Sequence, residues 1–251
     1  MGLFGKKNCD VCGSKIGILG NRKLDDGNLC KDCAKKLSPY FTGRRRSTVQ
    51  DIKEQLDYRE ENLQVLNSFM PTRTIGLYTK VLLDEDKKQF IVTSSKNYKE
   101  TNPDVIDFNM VTGAHLNIEH EQREIMQRDA QGKEISHNPQ RFKYRYEFWI
   151  TIHVNHPFFD EIRFKLNRST IEYEPQRTKF FRGTAQDMGQ NSTEYVQHEA
   201  IANEIIEALT DVRADVAQEK APKQAQTCPY CGASTTPDAH GRCEFCGGSI
   251  G

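Results

Sequence analysis

The chain has 251 residues, 36% of them hydrophobic and 28% charged, with 35 Lys/Arg balanced by 35 Asp/Glu. These values fit one medium globular domain with small satellites, and no stretch approaches the roughly eighteen apolar residues that a membrane span requires. Met1–Lys7 turns basic too soon for a secretory signal, and Lys6 stands where N-myristoylation wants Ser or Thr, so a cytoplasmic protein is expected.

The charge is unevenly spread. Residues 1–48 carry eleven Lys/Arg against four Asp/Glu, a surplus of +7, residues 221–251 carry two of each, and the middle is correspondingly acidic. All eight cysteines fall in four Cys-x-x-Cys pairs, two near the N-terminus and two at the other end. Two pairs facing each other supply the four thiolates of a closed tetrahedral zinc site, so two separate structural zinc ions are expected. Spacing alone also permits a disulfide framework, and a single pair can serve thioredoxin-like redox chemistry. Such redox pairs, however, come singly at a βα junction, whereas these come in doubles within segments too small to fold unaided.

In the first module, residues 1–42, the pair Cys9 and Cys12 is followed by Gly13, which permits a tight knuckle turn. A β-rich hairpin through Ile16, Ile18, Leu19 and Leu24 is expected to turn at Asp26-Gly27. Cys30 and Cys33 then open a short helix, where the positive end of the helix dipole favours thiolate. Knuckle, hairpin and helix-borne pair together resemble a treble-clef zinc finger. Residues 43–70 combine a basic linker, Arg44-Arg45-Arg46, with an amphipathic helix over about 49–68. Thr48 and Asp51 make its capping box, and Ile52, Leu56, Leu63 and Leu66 its apolar stripe. The three arginines can grip phosphate or lie in a solvated linker.

The middle domain, 71–217, alternates as half-buried strands do. Tyr144, Tyr146, Phe148, Ile150, Ile152 and Val154 share one face of a strand, and Arg145, Glu147, Trp149, Thr151 and His153 the other. Further strands are expected at Tyr78–Leu83, Phe90–Thr93, Val105–Phe108, Ala114–Ile118 and 162–166, with the polar stretch 121–142 a hairpin extension or loop about Gln131-Gly132. An insertion at 167–192 carries Arg177, Lys179, Phe180, Phe181 and Arg182, cations beside aromatics that can anchor a partner or pack the loop on its own domain. A helix over about 193–217 closes the domain, with Ile201, Ile205, Ala208, Leu209 and Val212 as its stripe. His115, His120, His137, His198 and His240 are expected at the surface, while His153 and His156 stand three apart across a strand end and need not point together.

After a linker at 218–226, residues 227–251 hold Cys228, Cys231, Cys243 and Cys246, each pair followed by Gly, which resembles a short zinc ribbon of the rubredoxin type. In both modules the four cysteines Cys9, Cys12, Cys30 and Cys33, or Cys228, Cys231, Cys243 and Cys246, fill the shell. No position remains for water or substrate.

The expected fold class is therefore α+β and multi-domain: an antiparallel barrel or sheet of about six or seven strands closed by a C-terminal helix, flanked by two small zinc-binding modules. That order resembles a pleckstrin-homology-like barrel, and Asp104–Leu116, with its Val-Thr-Gly turn between two strands, is similar to bacterial versions of it. Cys9–Gly17, Lys23–Leu37 and Arg45–Lys53 resemble a bacterial family of uncharacterised proteins that begin with a zinc-ribbon-like domain of unknown function. The resemblance covers about the first 55 residues and implies zinc binding but no reaction. The expectation drawn is a non-enzymatic adaptor recognising a protein or peptide partner or a membrane surface. The alternative is a nucleic-acid-binding protein that uses the basic first module and Arg44–Arg46.

Overall fold

Local sequence explains each element of the N-terminal region. In the computed structural model, which describes residues 7–175, 189–220 (backbone alone over 211–220), 226–236 and 241–250, β1 (Lys7–Asn8) pairs antiparallel with β2 (Lys15–Ile16). A second short hairpin joins β3 (Arg22–Lys23) to β4 (Asn28–Leu29) around Asp25–Gly27. Helix α1 (Lys31–Lys36) has Cys30 as its N-cap, and a single 3-10 turn, Arg44–Arg46, precedes α2 (Val49–Ser68). Helix α2 carries the expected capping box: Thr48 Oγ1 accepts from the Asp51 N–H at 3.2 Å, and Asp51 Oδ2 accepts from the Thr48 N–H at 2.8 Å. Asp26, on the β3–β4 turn, adds a third bond by accepting from the Val49 N–H at 2.8 Å. The hairpin turn thus completes the cap of the following helix.

The buried face of α2 differs from the expected stripe. Ile52 and Leu66 are buried, but Leu63 is 41% exposed, and Gln55, Arg59 and Asn62 are buried with them. The reason lies in what faces the middle turns, which is polar backbone, whereas Ile52 packs into the first module and Leu66 against Leu82 and Ile91 of the sheet that follows. Arg59 donates to the carbonyls of Lys36 and Asn102, and Asn62 donates to Pro103 O at 2.8 Å while accepting from the Val105 N–H at 2.8 Å. Gln55 Oε1 accepts from the Ser38 N–H at 3.4 Å while its Nε2 has no hydrogen-bond partner among the described residues, so Arg59 and Asn62 are the better satisfied of the three.

Two four-stranded antiparallel sheets follow. The first runs β5 (Arg73–Ile75), β6 (Lys80–Asp84), β7 (Gln89–Thr93), β8 (Ile106–Asp107) in spatial order, with a short helix α3 (Tyr98–Thr101) in the β7–β8 connection. The second is built on a long hairpin, β9 (Val111–Arg128) with β10 (Glu134–His156). The polar stretch 121–142 is therefore largely paired strand, with its turn at 129–133. The far edge of β10 takes β11 (Phe159–Lys165) over Trp149–His156 and β12 (Ile171–Tyr173) over Tyr144–Tyr146. The described strands form no closed barrel. The first sheet stops at the two-residue β8, where a 3-10 turn, Phe108–Met110, redirects the chain into β9.

Strand β10 alternates as its sequence requires. Tyr144, Tyr146, Phe148, Ile150, Ile152 and Val154 are all buried, with Thr151 alone of the opposite face joining them. Helix α4 (Thr193–Lys220) covers the inner face, its Tyr195 edge-on to Tyr146 and Phe148 at 5.0 Å each. It also reaches the first sheet through Arg73–Glu204 at 2.9 Å. The outer face carries ion pairs such as Arg163–Glu119 and Lys165–Glu147, with Arg163 lying 4.4 Å over Trp149. The chain divides into two compact units, Met1–Arg213 and Ala214–Gly251. The second contains β13 (Gln226–Thr227), paired with β14 (Ser234–Thr235).

Candidate metal centres and a basic cleft

The backbone brings the eight cysteines into two clusters, and the same turn does it three times. After Cys12, Cys231 and Cys246, the glycines Gly13, Gly232 and Gly247 have φ of 72°, 71° and 69°. This left-handed region is costly for residues with a Cβ. In each turn the glycine N–H donates to the carbonyl of the first cysteine, at 2.8, 2.9 and 2.8 Å for Cys9, Cys228 and Cys243. Each first cysteine in turn donates its N–H to the carbonyl five residues on, Ser14, Ala233 and Gly248. The fourth pair differs at one residue. Ala34 follows Cys33 where the others have Gly, its N–H donates to Cys30 O at 3.0 Å, and this bond belongs to the first turn of α1, which continues to Lys36. The expected contrast of knuckle and helix-borne pair in the first module, and of two knuckles in the last, is what these bonds describe.

Within each cluster the ligand atoms all lie within 4.8 Å of one another. Cys12 Sγ to Cys30 Sγ is 3.7 Å, Cys228 to Cys246 is 3.5 Å and Cys231 to Cys243 is 3.7 Å. A tetrahedron with metal–sulfur bonds of about 2.3 Å has edges of about 3.8 Å, whereas disulfide sulfurs sit at about 2.0 Å. The eight thiols are free, and their spacing fits metal ligation rather than disulfide bonds. Two four-cysteine sets are each shaped to hold one metal ion.

Electrostatics agrees with that shape. The Cys30 Sγ accepts from the Cys33 N–H at 3.3 Å, and the Cys9 Sγ from the Cys30 N–H at 3.3 Å, the backbone donors that stabilise ligating thiolates. Hydrogen bonds from the Ser14 side chain and backbone bring the Cys12 thiol down to about 6. Burial pushes Cys33 in the same cluster up. In the second cluster burial acts to raise Cys228, but backbone donation from Cys231 and Tyr230 prevails and brings it to about 7. At Cys246 the Gly248 backbone pulls down, and the sulfurs of Cys231 and Cys228 outweigh it, to about 12. Four sulfurs so close cannot all ionise unless a cation shares their charge.

The first cluster is also part of a hydrophobic core. Cys9, Cys30 and Cys33 are buried with Leu24, Leu29, Leu37 and Ile52, so the first turns of α2 pack into the module. Its packing unit therefore runs beyond residue 42.

Beside it lies a surface cleft of about 540 Å³ lined by Asn21, Arg22, Lys23, Leu24, Asp25, Arg44 and Arg45. Arg44 Nη1 donates to Lys23 O at 3.0 Å, holding the 3-10 turn against β3. Burial, then the neighbouring Arg22 and Arg45, lower the Arg44 guanidinium from its ordinary value. Four cations thus face one carboxylate, Asp25. Arg44 and Arg45 are two of the three arginines singled out in the sequence, and Arg46 is exposed beside them. Arg22 and Lys23 escape a reading of local motifs because the fold alone joins them to Arg44; the +7 surplus of residues 1–48 was their only trace. The other singled-out set, Arg177, Lys179, Phe180, Phe181 and Arg182, lies outside the described residues, as does His240.

Of the histidines expected at the surface, His120 is exposed and His137 and His198 are half-buried. His115 is exposed and stacks on His153 at 5.2 Å. His156 is half-buried among Tyr58, Phe158 and Phe159, and this burial lowers its pKa against the opposing pull of Asp104.

Residues 7–55 match a family described as Domain of unknown function (DUF4428). The matched span covers the first four-cysteine set, the cleft and the first turns of α2 that pack into the module. No curated protein and no solved structure matches the chain.

Proposed function

We propose that this chain is a non-enzymatic, zinc-binding interaction protein. Each four-cysteine set holds one structural zinc ion, and the basic N-terminal module engages an anionic partner. The observation that carries the reading is the cleft in which Arg22 and Lys23 meet Arg44 and Arg45. Zinc is supported by the all-thiolate donor set, the sulfur–sulfur distances and the sulfur-directed backbone N–H groups. Two thiolate pairs with one zinc contribute about −2, so the module stays basic when loaded. A closed set of four sulfurs offers no position for a metal-bound water, which supports a structural role over hydrolysis. A pleckstrin-homology-like reading of 71–217 draws its support from element order: four strands, then a hairpin and two further strands, then a helix over the inner face. Such a scaffold suits an adaptor.

The same cations suit nucleic acid as the alternative partner, and one experiment weighs the cleft without assuming either. Zinc-loaded protein is expected to carry two zinc ions per chain by native mass spectrometry and to bind heparin, a generic polyanion. Binding should weaken steeply with salt. The triple variant Arg22→Ala/Lys23→Ala/Arg45→Ala should keep both zinc ions and lose roughly tenfold or more in affinity. Unchanged heparin binding in that variant would remove the cleft from the reading, and absence of zinc would remove its premise.

A further inference from the structure

Ile18 and Leu19 occupy a place where apolar residues are out of character. The Gly20 N–H donates to Gly17 O at 2.8 Å and closes a tight turn with Ile18 and Leu19 at its centre. Central turn positions ordinarily hold Gly, Pro, Asn, Asp or Ser. Here the two aliphatic side chains are 91% and 83% exposed, contributing to no core. The sequence suggests strand residues inside a hairpin; the fold instead places them at the tip between two hairpins.

Cations surround the tip. Lys15 and Lys31 share a shallow hollow of about 310 Å³ with the turn and with Asp32, whose carboxylate pairs with Lys35. On its other flank the chain runs directly into Arg22 and Lys23 of β3, which line the basic cleft with Arg44 and Arg45. Two side chains are too small a surface for a specific protein contact, which takes about 800 Å² per partner. A bilayer needs no complementary pocket: it accepts a small apolar wedge at the acyl boundary while its anionic headgroups meet the cations around it.

We infer that the N-terminal module docks on an anionic lipid bilayer, with Ile18 and Leu19 as the inserting wedge and the cleft cations on the headgroup phosphates. This inference rests on the zinc-stapled, anion-binding reading above. Neither contribution suffices alone: one aliphatic side chain adds on the order of tenfold in affinity, and each cation near the surface about fivefold.

The test is co-sedimentation of the full, zinc-loaded chain with vesicles of phosphatidylcholine alone or mixed with about one third phosphatidylserine. The protein is expected to pellet with the mixed vesicles and not with phosphatidylcholine. The variant Ile18→Ser/Leu19→Ser, changed only at exposed positions, should retain two zinc ions and heparin binding while its vesicle affinity falls about tenfold or more. Leu19→Trp should preserve vesicle binding and add a blue-shifted emission to that of Trp149 when vesicles are present. Equal vesicle binding by the double Ser variant overturns the inference. So does a wild-type protein that carries two zinc ions and binds heparin or an oligonucleotide but ignores the mixed vesicles, and in that case the reading beneath it stands. Loss of both zinc and heparin binding would instead strike that underlying reading.

Discussion

Asp104 shows what a single residue contributes here. Its side chain is fully buried, yet Oδ1 accepts from Arg59 Nη1 at 2.7 Å and from the Tyr58 hydroxyl at 3.1 Å, and Oδ2 accepts from the Ser38 hydroxyl at 2.8 Å. Ser38 belongs to the chain leaving α1, Tyr58 and Arg59 to α2, and Asp104 to the approach to β8. One carboxylate therefore ties the first module, the long helix and the first sheet. A buried ion pair adds little net stability compared with apolar replacements, but removing one member leaves an uncompensated charge inside the protein. Arg59→Met is accordingly expected to cost about 3–5 kcal/mol, read as a lower urea midpoint with unchanged slope. A change below about 1 kcal/mol, the range of exposed pairs, would mean that solvent reaches the site. No local sequence pattern announces this pair, because Arg59 and Asp104 are 45 positions apart and each alone reads as a surface charge.

At the scale of elements, the helix N-termini were legible and their partners were not. The Thr48–Asp51 capping box is written in four consecutive residues and forms as written. The bond from the Val49 N–H to Asp26 comes from a turn 23 residues earlier. Thr48→Ala should therefore cost about 1 kcal/mol through the lost cap, and Asp26→Ala an additional amount, because each satisfies a different orphan N–H. Thermal unfolding of the two single variants and the double measures this; the double is expected to depart from the sum of the singles, since both bonds hold the same first turn of α2 and neighbouring sites couple. Strand β10 was equally legible, its period of two fixing six buried residues in a row of alternates. Helix α2 was not. An apolar stripe presumes an apolar opposite face along the whole helix, but the middle turns meet carbonyls and amides of the loop at 102–105, so Arg59 and Asn62 lie inward, and Gln55 turns in to the Ser38 N–H.

Across the whole molecule, the two four-cysteine sets have different surroundings. The first is embedded in a core with Leu24, Leu29, Leu37 and Ile52, while the second lies in a small unit with Tyr230 and Phe245 exposed. Cys33→Ser and Cys246→Ser should each lower the zinc content from two to one by native mass spectrometry. Cys33→Ser should also lower the unfolding midpoint of the first unit, since metal ligation there is folding energy for a packed core. Acid provides the matching test. Zinc binding requires thiolates, so protons compete with the metal, and each site is expected to load at neutral pH and to empty as pH falls. Zinc release that did not depend on pH would contradict thiolate ligation.

The sequence by itself determined the two thiol clusters: paired cysteines at tight-turn spacing, each knuckle followed by a glycine able to take positive φ, dictate their local geometry within six residues. It also determined the alternation of β10 and the cap of α2, because these too are matters of short-range period and local hydrogen bonding. Only the tertiary structure decided which cations share a cleft, that Asp104 lies inside, that the described strands form two open sheets, and that Ile18 and Leu19 stand exposed. Those features depend on which distant backbone meets each side chain, and burial is a property of the partner surface as much as of the residue.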